Sequence, residues 1–115
     1  MPATVRIPAK RSKYGSKITE YGGRKYHSAA EAKQAAELDL MVKTGEILGW
    51  IPQSAWPITV NGQKICWMIL DFQVNLALGR QYFIEVKGHE TAVYKLKLKL
   101  LKAVYPDIDL RIVRA

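Results

Sequence analysis

Residues 63–88, QKICWMILDFQVNLALGRQYFIEVKG, decide the fold. They read as two strands around a turn. Along the first, alternation with period two puts Leu70, Phe72, Val74 and Leu76 on one face and Asp71, Gln73 and Asn75 on the other. The second run, QYFIEVKG, is rich in β-branched and aromatic residues, with Ile84 and Val86 pointing one way and Glu85 and Lys87 the other. A turn over residues 77–80, centred near Leu78, sets Asp71 opposite Glu85, so Asp71, Glu85 and Lys87 cluster on one face. The alignment depends on loop length, because one residue more or fewer would shift the register and separate the three.

Upstream, an Asn61-Gly62 turn pairs the first strand with an extended piece, AWPITV, which follows another, EILGWIPQ. Before these, SAAEAKQAAELDLMVKTG opens with Ser28-x-x-Glu31, a capping box, and closes with Gly45 as a C-cap, predicting a helix over residues 28–44. On its wheel Glu31 falls with Ala35, Leu38 and Val42, the face expected to pack on a sheet. The segment KITEY-GG-RKYH predicts a short hairpin. Downstream, TAVYKLKLKLLKAVYP alternates like a strand at its centre, but its length, Leu100-Leu101 and the closing Pro106 favour a helix. DLRIV closes the chain as a strand. The order is hairpin, α, β, β, β, α, β, which predicts an α/β fold with helices packed on a mixed sheet.

The 115 residues suit a single domain, expected to span residues 18–115 behind a flexible basic arm, residues 1–17. Lys and Arg number 18 against 10 acids, for a net charge of +8, which points to a polyanionic partner. Seven of the cations, Arg6, Lys10, Arg11, Lys13, Lys17, Arg24 and Lys25, fall before residue 28 against one acid, Glu20. One cysteine, Cys66, and two histidines, His27 and His89, exclude an internal disulfide and a zinc-finger ligand set. The N-terminus lacks the apolar core of a signal peptide, and the uncharged run 47–63 is broken by Pro52 and Pro57, so neither secretion nor membrane spanning is expected. A reducing, cytoplasmic compartment follows from the cysteine count.

Two carboxylates meeting on a sheet repel each other, and a hard divalent cation with oxygen ligands is the ordinary remedy, Mg²⁺ being the natural candidate and Mn²⁺ its substitute. A lysine two residues beyond the glutamate would orient or deprotonate an attacking water, or offset charge developing on a phosphate. These are the parts that phosphodiester hydrolysis needs. Each also has an ordinary structural reading. Glu31 could simply complete the capping box by bonding the Ser28 N–H. The Asp71, Glu85 and Lys87 face could be a solvated cross-strand ion pair worth less than about 1 kcal/mol.

The ordered set Glu31, Asp71 and Glu85-Val86-Lys87 is similar to the PD-(D/E)xK pattern of the restriction-endonuclease-like superfamily. The wider string resembles a family of short phage and prophage proteins related to Holliday-junction resolvases. Its residues here are Tyr26, Ser28, Glu31-Ala32, Gly45-Glu46-Ile47, Gln53, Asp71-Phe72, Glu85-Val86-Lys87-Gly88 and Tyr105-Pro106, covering about residues 13–113. The resemblance implies a restriction-endonuclease-like core and a metal-dependent, structure-selective endodeoxyribonuclease acting on branched DNA. Asp71, Glu85 and the Val86 carbonyl would bind Mg²⁺, Lys87 would act on the attacking water, and Glu31 would support the metal directly or through water. Gln53 would touch the site from the preceding strand. The protein would work in the host cytoplasm if phage-encoded. Leu70 stands where the motif name has proline, and His27 stands where the family pattern has an acid, so no catalytic role is assigned to it.

The second helix sorts its lysines. Lys95, Lys99 and Lys102 recur at spacings of four and seven, a stripe fit for phosphates, whereas Lys97 falls among Val93, Leu100 and Val104, where a lysine ordinarily snorkels, the other reading being that it reaches a phosphate beside the metal site. Trp50, Trp56 and Trp67 read as core residues, with base stacking the other use of such rings. A junction presents two strands for symmetric cutting, so a homodimer is expected. Two other functions stay open: a general DNA nuclease with the same site, and a non-catalytic basic nucleic-acid-binding module.

Overall fold

A computed structural model of the chain describes residues 18–115. The basic arm, with Arg6, Lys10, Arg11, Lys13 and Lys17, lies outside the described residues. The element order is β1 (Thr19–Tyr21), β2 (Arg24–Tyr26), α1 (Ala29–Thr44), β3 (Gly49–Val60), β4 (Gln63–Asn75), a 3₁₀ turn (Ala77–Gly79), β5 (Gln81–Lys87), α2 (Ala92–Val104) and β6 (Leu110–Arg114). This is the mixed α/β arrangement expected from the sequence. β1 and β2 form a hairpin of their own, while the main sheet runs β3-β4-β5-β6. Its first three strands are antiparallel; β6 joins β5 in parallel through α2, since a parallel return needs a crossover.

Local chemistry accounts for the boundaries. Gly22 and Gly23 both take positive φ, as the tight hairpin turn requires. The Ser28 hydroxyl accepts from the Glu31 N–H at 3.1 Å and starts α1; Gly45, at φ 81°, ends it. The Thr91 hydroxyl caps α2 in the same way, accepting from the Tyr94 N–H. Lys43 and Lys102 sit in the last turns of α1 and α2, where the helix dipole favours cations.

Two apolar clusters hold the layers together, one on each face of the sheet. Ala32, Ala35 and Leu38 of α1 pack with Tyr26, Phe72, Val74, Tyr82 and Ile84. Leu101 of α2 packs with Ile58, Met68, Leu70 and Phe83. Phe83 and Ile84 are adjacent on β5 and belong to different clusters, which puts the two helices on opposite faces. Within α1 the wheel is nearly right, but Val42 is exposed and Met41 packs against the core in its place. Trp50 meets Phe72 edge to face at 5.5 Å, and Trp56 meets Phe83 and Tyr105 at 5.1 and 4.7 Å.

Two expectations change. EILGWIPQ and AWPITV are not separate pieces: from Gly49 to Val60 they form one strand, β3. β3 lies at the sheet edge, where Pro52 and Pro57 cost no interior ladder bond. The apolar alternation along β4 is also not continuous. Met68 and Leu70 pack under α2, whereas Phe72 and Val74 pack under α1. The break coincides with Gln53, a non-glycine residue at φ 57°. The ladder has Pro52 opposite Phe72 and Ser54 opposite Leu70, so Gln53 and Asp71 face each other in the interval between. A left-handed residue rotates the strand pair there, and the apolar sets before and after it change sides.

Candidate functional site

The β4–β5 ladder runs from Asn75 opposite Gln81 to Phe72 opposite Ile84. One step further, at Asp71 and Glu85, side chains replace the ladder. The Val86 N–H donates to Asp71 Oδ2 at 2.7 Å, and the Asp71 N–H donates to Glu85 Oε1 at 3.2 Å. The predicted opposition of positions 71 and 85 is therefore the observed register, and the pair closes the fork at which β4 and β5 part. Beyond it, towards residue 63, β4 pairs only with β3.

The electrostatics of the fork are set by burial. Glu85 is 6% exposed, and burial first and the Asp71 charge second raise its pKa well above the ordinary carboxyl value. Asp71 is raised as well, by burial; its hydrogen bonds to Glu85 and to the Val86 N–H, together with the positive charge of Lys87 and His27, work in the opposite direction. Glu31, 8% exposed in the first turn of α1, is pushed up to about 8 by burial and then by the Asp71 charge. The His27 backbone favours its ionised form, and the Ser28 side of the capping box is the Glu31 N–H donating to the Ser28 hydroxyl. No described lysine or arginine forms an ion pair with Glu31, Asp71 or Glu85; the ion pairs among the described residues are Arg111 with Asp109 and Arg114 with Glu90.

Lys87 is near both carboxylates, since its charge favours the ionised form of each, but its ammonium lies 3.1 Å from the centroid of the Tyr94 ring. A cation on a partly buried ring is held by about 0.5–2 kcal/mol. Lys87 is thus anchored beside the pair without neutralising it. Gln53 faces Asp71 across β3 and β4, next to the site as expected, and carries backbone strain of the kind that costs about 1–3 kcal/mol. Val86 contributes its N–H to Asp71.

The acidic pair has the all-oxygen, hard donor chemistry that suits Mg²⁺, which is commonly held by one or two carboxylates with water completing its shell. Among the described residues no three His, Cys, Asp or Glu side chains are gathered into a ready ligand set. The donors that would hold such an ion are the two carboxylates and the Val86 carbonyl, with Glu31 close enough for the Asp71 charge to raise its pKa.

The cationic residues divide. Arg24 and Lys25 are exposed on β2, in the layer of α1. Lys95, Lys99 and Lys102 are exposed on α2, on the other side of the sheet. Three residues outside the expected catalytic set lie at the site. His27 supports Glu31 and Asp71. Lys97 is half-buried and lines a cavity of about 300 Å³ beside Glu85, with Tyr94, Thr91 and Trp67. The signal for Lys97 was its spacing: it lies three residues after Tyr94 and four before Leu101, both packed on the sheet, which puts it on the inner stripe of α2. Trp67 is 37% exposed and is not core.

The fold and the fork together define a mixed α/β protein with a buried acidic pair at the splayed end of two strands. A family profile matches residues 11–115, and the chain belongs to that family, described as protein of unknown function (DUF1064). No curated protein matches the sequence. No helix among the described residues is long and apolar enough to cross a membrane.

Proposed function

We propose that the protein is a metal-dependent endodeoxyribonuclease that acts on branched DNA, as a Holliday-junction resolvase does. The observation that carries the reading is the buried pair Asp71 and Glu85, ion-paired to no described lysine or arginine, with Lys87 anchored two residues on. Ionising both buried acids with no ion-paired partner is costly, and a divalent cation would relieve that cost. When bound, Mg²⁺ supplies Lewis-acid activation of water and neutralises charge on the phosphate. Asp71, Glu85 and the Val86 carbonyl would hold it. Lys87, as an ammonium, would orient the attacking water and offset charge developing on the phosphate, the proton passing to solvent, and Glu31 would set the local charge. Exposed Arg24, Lys25, Lys95, Lys99 and Lys102, with the N-terminal arm, carry the phosphate backbone of the DNA. A junction is cut symmetrically by two sites, so the working form is a homodimer in the cytoplasm.

A non-catalytic DNA-binding module is the second reading. It is favoured by the packing of Lys87 on Tyr94 and by the lack of a third gathered ligand among the described residues. Metal dependence separates the two. A labelled four-way junction and a linear duplex of equal length are incubated with Mg²⁺, Mn²⁺ or Ca²⁺. Cleavage of the junction with Mg²⁺ or Mn²⁺ but not Ca²⁺ is expected. Binding without cleavage in any of them overturns the enzyme reading, and equal cutting of both substrates replaces the resolvase with a general nuclease.

A further inference from the structure

We propose that the cleft beside Glu85 is a subsite for one unstacked nucleotide, with its phosphate on Lys97 and the Tyr94 hydroxyl and its base against Trp67. This rests on the nuclease reading and extends it, giving the site a preference for unpaired strand. The cleft exists because β5 leaves β4 after Ile84: the wall of β4 at Trp67 and Met68 faces the start of α2 across a gap, and Glu85 forms its floor. Its volume, about 300 Å³, is at the small end of ligand pockets, which run from about 300 to 1,000 Å³.

Three features of the walls point to a nucleotide. The Tyr94 hydroxyl is buried and has no hydrogen-bond partner among the described residues. An orphaned buried donor costs about 1–3 kcal/mol, which a ligand oxygen would relieve. Lys97 brings positive charge into the same space from the inner stripe of α2, where an apolar residue would ordinarily sit. Trp67 offers an aromatic ring that is not consumed by the core, and the Lys64 ammonium lies 4.9 Å from its centroid, adding positive charge beside it. Val93 and Leu96, 64% and 59% exposed, leave apolar surface on the same side of α2. A donor pair for phosphate next to a part-exposed indole is the pairing that binds single strands, in which every base has a face to stack and no base edge is read. A duplex keeps its bases stacked and cannot fill such a cleft.

The test uses the full chain in EDTA, so that neither metal nor cleavage enters, with oligothymidylate and a duplex of equal length as probes. Trp67→Leu and Lys97→Gln should each weaken oligothymidylate binding roughly tenfold, since a stacked base contributes about that factor, and leave duplex binding within twofold. Tyr94→Phe removes only the hydroxyl. It should weaken oligothymidylate binding several-fold while leaving the melting temperature unchanged or raised, because it deletes an unsatisfied group; a purely structural role would lower both together. If the three variants bind oligothymidylate as the parent does, or lose both probes equally, the subsite is overturned. Metal-dependent cutting is read separately on the unaltered protein, so its absence would count against the nuclease reading alone.

Discussion

Glu31→Gln is the most informative single substitution, because it separates charge from shape at a buried carboxyl. A group that titrates near 4.5 in the unfolded chain and at about 8 in the folded one is ionised first in the unfolded state as pH rises. Stability is then fully present below pH 4.5 and is lost as pH climbs to 8, at about 1.4 kcal/mol per pH unit. Between pH 5 and 8 the loss from this one group would be about 3.5 kcal/mol; the carboxyl remains partly hydrated, so roughly 2 kcal/mol is expected. Glutamine preserves the size and an oxygen for the His27 backbone but cannot ionise. Urea denaturation of both proteins in EDTA at pH 5, 6.5 and 8 should therefore show curves that diverge with pH, the variant gaining on the parent by roughly 2 kcal/mol between pH 5 and pH 8. In saturating Mg²⁺ the divergence should shrink, since a bound cation favours the ionised acids. A difference that is the same at all three pH values would refute burial and the Asp71 charge as the forces acting on Glu31.

Asp71→Asn and Glu85→Gln should each abolish Mg²⁺-dependent cleavage and leave junction binding in Ca²⁺ intact or tighter, since they remove negative charge beside phosphate; parental cleavage rates in either would remove the pair from the site. Deleting residues 1–12 takes away Arg6, Lys10 and Arg11, and should flatten the slope of log binding constant against log salt by up to about 0.9 for each phosphate that these residues neutralise; an unchanged slope would show that the three do not touch DNA. Leu78, 92% exposed and at φ 64°, should give way to glycine with a gain of about 0.5–1 kcal/mol in urea, and a decrease would mean that its side chain has a partner.

Much of the frame can be traced to short-range chemistry. The caps at Ser28 and Gly45, the paired glycines at 22 and 23 and the Asn61-Gly62 turn act within a few residues, so the boundaries they set are written locally. The opposition of Asp71 and Glu85 is longer in reach but equally legible, because a short turn and a period of two leave one register that buries Phe72, Val74 and Ile84 together. The position of Glu31 on the buried stripe of α1 follows from the same kind of periodicity.

Other features required the packed molecule. Nothing in the local pattern of β4 marks the change of face between Leu70 and Phe72, since it arises where Gln53, on another strand, takes a left-handed backbone. The continuity of β3 through Pro52 and Pro57 depends on its place at the sheet edge, which is a property of strand order. Lys97 reads from composition as a lysine stranded among apolar neighbours; it lines a cleft only because α2 covers the face on which β4 and β5 part. Lys87 rests on Tyr94 for the same reason. Local conformational preferences and periodicity are encoded over a few residues and survive in any context, whereas the facing of layers and the splay of strands are settled by long-range burial, which alone decided how Asp71 and Glu85 came to lie in the interior with no described lysine or arginine ion-paired to them.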